Sequence, residues 1–259
     1  MPCLGYVALV RTLYHFPLHP PSRMARITLA EKKLKVKEII IDPWSPDPAF
    51  LDLTAEGAPP VLIDLTKQGT LTISTARAIT EYANDGSTRN PLLSEDPFER
   101  AEARRLCAWF DTQFSEDVDS YILTEKIERA VLSQTQFDVG PADPNILREG
   151  RLNLERHLNY LTSLLEKRDW LAGRRLSLGD IAAAAHLSCL DFLGEINWRD
   201  YTLLTEWYQK IKSRPSMRSL LGDRIAGLRP PRHYTDLDFR LGFERRNAID
   251  SLIIKGLIS

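Results

Sequence analysis

The stretch Gly57-Ala58-Pro59-Pro60-Val61-Leu62-Ile63-Asp64 constrains the fold more than any other. Proline has no amide N–H, so it suits the first position of a strand and not its middle. Pro60 therefore marks where a strand begins, and the apolar residues after it predict a buried one. Gly69 fits a hairpin to a weaker strand at Thr70-Leu71-Thr72. Ser74 to Asn84 reads as the helix that follows. Upstream, Thr12-Leu13-Tyr14 reads as a short strand. Ser22 to Lys33 reads as a helix with Met24, Ile27, Leu29 and Ala30 on one face, and Val36 to Ile41 as a buried β-branched strand. Residues 11–86 thus form an α/β unit of order β-α-β, then β-β-α.

Asn84 to Pro97 is polar and broken by Gly86, Pro91 and Pro97, which predicts a linker. Residues 97–222 read as all-helical. Leu106, Trp109, Phe110, Phe114, Val118, Tyr121 and Ile122 recur at helical spacing, and Leu152, Leu158, Leu161, Leu164 and Leu165 mark a second long helix. Ser177-Leu178-Gly179-Asp180 is a capping box, with Leu176 and Ile181 placed to close a hydrophobic staple. Residues 223–259 form a C-terminal extension.

Composition narrows the function classes. The 34 Lys and Arg against 35 Asp and Glu leave a net charge of -1. No basic excess is present to attract nucleic acid or anionic lipid. Cys3, Cys107 and Cys189 are odd in number and far apart, so neither a disulfide framework nor a metal-binding Cys motif is expected. A reducing cytoplasm is the compartment this usage fits. No apolar run reaches the length of a membrane span, and residues 1–10 lack the basic start of a signal peptide.

The Pro-initiated strand, the Trp170-Leu171-Ala172-Gly173 turn, the cap at Ser177 to Asp180 and Trp207-Tyr208 leading to Arg214-Pro215-Ser216 together resemble the cytosolic glutathione S-transferases, over roughly residues 11 to 222. The resemblance implies an N-terminal thioredoxin-like domain and a C-terminal helical bundle. It implies that Pro60 is cis and that the backbone at Val61 pairs with the cysteine of glutathione. It also implies glutathione as the cofactor of any enzymatic member.

Those enzymes stabilise the glutathione thiolate by a hydrogen bond from a hydroxyl. The position matching the tyrosine type is His15, and the position matching the Ser or Cys type is His19. Tyr14 and Ser22 are the nearby hydroxyls, with bland roles open to both: a packed strand tyrosine and an N-cap serine. His15, Tyr14 and Ser22 are thus the catalytic candidates if the chain is an enzyme. The acidic-Ser pair that grips the γ-glutamyl end is replaced by Thr75-Ala76, preceded by Ile73-Ser74. Loss of one charge-assisted hydrogen bond of about 1.5–3 kcal/mol weakens binding ~10- to 100-fold. Pro60, Val61, Thr75 and Ala76 read as a vestigial site, and the expectation is a non-enzyme.

Surfaces for a protein partner are the alternative. Trp44 lies in the Pro-flanked loop Asp42-Pro43-Trp44-Ser45-Pro46, where it either packs on the core or anchors an interface. Glu125 and Arg129 lie in a charged helical stretch. The tail Arg232-His233-Tyr234-Thr235-Asp236-Leu237-Asp238-Phe239 alternates aromatic or apolar residues with acids after Pro230-Pro231, as a docking segment does, whether onto a partner or onto its own domain. With Leu13-Tyr14-His15, Arg23, Arg26, Trp44 and Arg214-Pro215, this tail resembles a bacterial division-associated branch of the family. That resemblance implies a non-enzymatic homodimer that binds filaments of the tubulin-like FtsZ in the cytoplasm at the division septum. A glutathione-dependent transferase or isomerase is the competing expectation.

Overall fold

A computed structural model describes residues 11–134 and 139–236. Its first unit is a four-stranded mixed sheet of order β2-β1-β3-β4, built from β1 (Arg11–His15), β2 (Val36–Ile40), β3 (Val61–Thr66) and β4 (Gly69–Ser74). β1 runs parallel to β2, and β3 is antiparallel to both β1 and β4. Gly69 takes φ 130°, a backbone state that favours glycine, at the β3–β4 turn. The Pro59–Pro60 peptide bond is cis, and Val61 opens β3 directly after it.

Two expectations change here. The β-branched run Val36 to Ile41 predicts a buried strand, but β2 is a sheet edge with Ile40 64% exposed. A β-branched run does not by itself distinguish edge from centre. The first helix, α1 (Pro20–Glu31), starts two residues before Ser22, with Pro20 and Pro21 in its first turn and His19 as a cap residue whose side chain makes no cap bond. Proline suits that position because its missing N–H has no intrahelical partner to lose. Ser22 is therefore not the N-cap.

α1 is buried nearly all round, including Ser22, Arg23, Arg26 and Thr28. One side joins the small core of Leu13, Ala25, Leu29, Leu62, Ile79 and Ala83 beneath the sheet and α2 (Ala76–Asp85). Its other side packs on the helical unit, so one amphipathic stripe does not describe it.

The helical unit begins with α3 (Pro97–Trp109), which continues unbroken to residue 132 through π-type turns at Phe110–Asp119 and Thr124–Glu128. α4 (Pro144–Leu165) buries Leu154, Leu158, Leu161 and Leu165 at helical spacing. Leu152, expected on that stripe, is 53% exposed, because two residues turn a helix by about 200°. α5 (Leu178–Phe192) is buried along its whole length. Its alanines, Ala182 to Ala185, let α1 and α3 approach it closely. The expected capping box is present: Ser177 Oγ accepts from Asp180 N at 3.4 Å and Asp180 Oδ2 accepts from Ser177 N at 2.9 Å. Asp180 also accepts from Leu171 N and from Trp207 Nε1 of α6 (Thr202–Lys212), so the cap holds three segments together.

After the turn at Pro215–Met217 and the helical turn Arg218–Leu221, the extension folds back. It makes a tight turn around Gly227, then a 3-10 turn at Arg232–Thr235. No helix among the described residues is long and apolar enough to cross a membrane.

Candidate functional site

Of the residues that would activate a thiol, His15 and Ser22 are buried, and Tyr14 and His19 are half-buried. His15 is 2% exposed, its Nε2 lies 3.5 Å from Glu38, and burial, then the Arg26 charge, lowers its pKa. Tyr14 packs its ring on Phe50 at 5.8 Å. Ser22 is fully buried; its Oγ accepts from Phe16 N at 3.2 Å and lies 3.0 Å from His19 Nδ1, fastening the β1–α1 connection. His19 is held at a pKa of about 4 by burial and by the nearby His186, so it is neutral at pH 7.

The cis proline brings Val61 beside Ser74, its register partner on β4. Thr75 caps α2 with φ 68°, its Oγ1 accepting from Ala78 N at 3.4 Å, and Ala76 is buried beneath it. Sequence spacing gave this corner no acid, but the fold brings one. Glu56, from the loop before the cis bond, has its pKa lowered by hydrogen bonds from Thr54, its own amide and Ser74. Ser74 and Glu56 are 18 positions apart, so only folding shows their proximity.

The most elaborate constellation lies between α1 and the extension. Arg23 donates to Pro17 O (2.7 Å), Ser188 Oγ (2.8 Å), Asp223 Oδ2 (3.3 Å) and Tyr234 OH (3.2 Å). Arg26 donates to both Asp223 oxygens at 2.8 and 3.1 Å, and its Nη2 also lies 3.1 Å from Glu38 Oε2. Burial disfavours the Arg23 charge, but the facing Tyr234, Cys189 and Asp223 groups outweigh it and raise its pKa. Tyr234 is fully buried and donates to Leu220 O. Lys212 reaches His233 O at 2.9 Å, and His233 contacts Asp191 at 3.0 Å. Of the proposed docking tail, Tyr234 thus anchors the extension to its own fold, while Arg232 and Asp236 are exposed beside it. Leu237, Asp238 and Phe239 lie outside the described residues.

A second seam joins the units. Glu31 at the end of α1 takes a bidentate pair from Arg214 at 2.6 and 2.8 Å and a hydroxyl bond from Ser216 at 2.6 Å. Burial would raise the Glu31 pKa, and these bonds overcome it and lower it.

The remaining candidates fall in two places. Trp44 is half-buried, edge-on to Phe16 at 5.3 Å, and lines a cleft between the two units. Glu125 is buried; it pairs with Arg129 at 2.7 Å and accepts from Asp143 N at 2.8 Å. This pair lines a groove of about 530 Å3 with Leu228 and Arg229 of the extension. Glu125 and Arg129 therefore meet the extension, whereas Trp44 lines the separate cleft. Asp223, Ser188, Asp191 and Lys212 had no local signal in the sequence, since their partners are up to 200 positions distant. Among the described residues, no group of three or more His, Cys, Asp or Glu is placed to hold a metal ion.

Comparison with known proteins agrees with this architecture. Residues 13–91 match the glutathione S-transferase N-terminal domain, and residues 146–215 match the C-terminal domain. FtsZ-localized protein A of Caulobacter vibrioides is 48% identical over 233 residues, covering 90% of this chain and 100% of that protein. The solved structure of FzlA from C. crescentus superposes with a TM-score of 0.84, covering 88% of this chain and 99% of that one. A glutathione S-transferase structure from Rhodospirillum rubrum F11 is 41% identical with a TM-score of 0.81, covering 88% and 100%. Both family domains are matched, and a relative 48% identical is covered along its whole length, so the chain belongs to the glutathione S-transferase family.

Proposed function

We propose that this chain is a non-enzymatic member of the family that binds FtsZ filaments and acts in bacterial cell division, as a homodimer in the cytoplasm at the division site. The observation that carries the reading is its 48% identity to FtsZ-localized protein A along the whole of that protein. The chemistry of the thiol site supports it. Ser22 is consumed by the β1–α1 connection, His15 is buried against Glu38, and His19 is neutral at pH 7, which leaves half-buried Tyr14 as the remaining hydroxyl of the candidate set. Arg232, Asp236 and the groove containing Glu125 and Arg129 are surfaces by which a filament is engaged. Pelleting of the full chain with FtsZ polymers tests it. Saturable co-pelleting supports the reading, and a chain that stays soluble at concentrations well above FtsZ removes it.

The second reading is a glutathione-dependent transferase. The cis proline, the Ser74–Glu56 contact and the likeness to proteins described as glutathione S-transferases favour it. Calorimetry with glutathione separates the two. The first reading expects no binding below about millimolar Kd, consistent with loss of a charged contact.

A further inference from the structure

The extension sorts its charges as it folds. Residues 224–233 hold three arginines, Arg224, Arg229 and Arg232, and no Asp or Glu, in a chain whose net charge is -1. The acid just before them, Asp223, turns inward. Its side chain is 8% exposed, Arg26 donates to both its oxygens and Arg23 donates to Oδ2. Tyr234, just after them, is fully buried; its hydroxyl accepts from Arg23 and donates to Leu220 O.

The three arginines turn the other way. All are exposed, and none has a carboxylate within 4 Å among the described residues. Arg224 donates to two backbone carbonyls, Leu221 O and Asp223 O. Arg229 lines the groove at the end of α3, where the one acid in the lining, Glu125, has both oxygens taken by Arg129. Asp236, the next exposed acid along the chain, acts on the charge of Lys212. The extension thus presents a strap of cations that the fold itself does not neutralise.

The strap is also held in place. Asp223 and Tyr234 fix its two ends to α1, Lys212 Nζ donates to His233 O at 2.9 Å, and Gln134 Nε2 donates to Ala226 O at 3.1 Å. Little ordering is left to be done when a partner arrives, and ordering is one of the main costs of association. Arginine suits such a surface: its planar fork meets a carboxylate with two bonds and is weakly hydrated, so it desolvates readily.

We propose that Arg224, Arg229 and Arg232 form a cationic docking strap that takes an acidic face of the FtsZ filament. The inference rests on the filament-binding reading and names the chemistry of the contact. Charge pairing sets the encounter and the salt dependence, as it does where potentials are complementary across an interface.

The test is pelleting of the full chain with GTP-assembled FtsZ at about 50, 150 and 300 mM KCl, with bound chain scaled to pelleted FtsZ. The wild-type chain is expected to lose affinity by about tenfold across that range. The pair Arg229→Glu and Arg232→Glu should bind about tenfold more weakly at the lowest salt, with a salt dependence about half as steep or less. The neutral pair Arg229→Gln and Arg232→Gln should fall between, because the effect follows charge and not side-chain shape. Arg174→Glu with Arg175→Glu is the control: it makes the same change in net charge on exposed residues that line cavities at the start of α3. It should bind within about twofold of wild type. Wild-type pelleting that ignores salt, a reversal pair equal to wild type, or a control weakened as much as the reversal pair overturns the strap and leaves the filament-binding reading standing. A wild-type chain that never pellets removes both.

Discussion

Arg23 is the residue on which the packing of three segments converges. It is fully buried and satisfied by acceptors from the β1–α1 connection, α5 and the extension. Replacing it strips Pro17 O, Ser188 Oγ and Tyr234 OH of their Arg23 donor in a buried seam, while Arg26 keeps Asp223 paired. Breaking a buried ion pair by removing one partner typically costs about 3–5 kcal/mol. Arg23→Met is therefore expected to lower unfolding free energy by about that amount in a urea titration. Arg23→Lys recovers less than half of it, because an ammonium lacks the planar fork that meets several acceptors at once. His19 gives a residue-scale pH dependence. Its pKa falls from an ordinary 6.5 to about 4 on folding, so the unfolded chain binds a proton more readily. Its contribution is present above the unfolded pKa and is lost as pH falls from about 6.5 towards 4, at most about 3 kcal/mol. Denaturant unfolding at pH 7.5 and 4.5 reads this loss, and His19→Gln should flatten it.

At the scale of elements, the capping box and the extension make contrasting predictions. Ser177→Ala removes a cap and costs about 1 kcal/mol. Asp180→Ala strands Trp207 Nε1 and two buried amides as well, and is expected to cost about 3 kcal/mol or more. Both are checked by chemical denaturation. For the extension, truncation after Gly222 removes Asp223 and Tyr234 and leaves Arg23 and Arg26 facing one another. That truncation is expected to destabilise the fold and so cannot report on binding alone. Truncation after Asp236 keeps every described anchor, and its melting temperature beside that of the full chain reads what residues 237–259 add to stability. Only the second truncation measures what the terminal residues contribute to a partner.

These elements differ in how well the sequence announced them. The Pro60 strand, the hairpin glycine, the capping box and the periodic helices depend on local chemistry, and each was legible. The edge position of β2 and the outward turn of Leu152 depend on what lies across the fold. So do the burial of α1 and the role of Tyr234, which in sequence fits an external docking segment as well as an internal anchor. The thiol site was legible as a set of departures, but Glu56 beside Ser74 and Asp223 beneath Arg26 become visible only when distant loops meet.

For the whole molecule, two seams join the sheet unit to the helical unit: the Arg23–Arg26–Asp223 network and the Glu31–Arg214–Ser216 contact. Both bury charge that neither unit can satisfy alone, which favours unfolding as one cooperative body and a single calorimetric transition. The extension is stitched to α1 through Asp223 and Tyr234, and the proposed function makes the central claim: a family scaffold that binds FtsZ and not glutathione. The most direct test of that claim is co-pelleting of the full chain with GTP-assembled FtsZ, paired in the same preparation with glutathione calorimetry. Saturable pelleting without measurable glutathione binding is the predicted result. Micromolar glutathione binding by a chain that remains in the supernatant would contradict it.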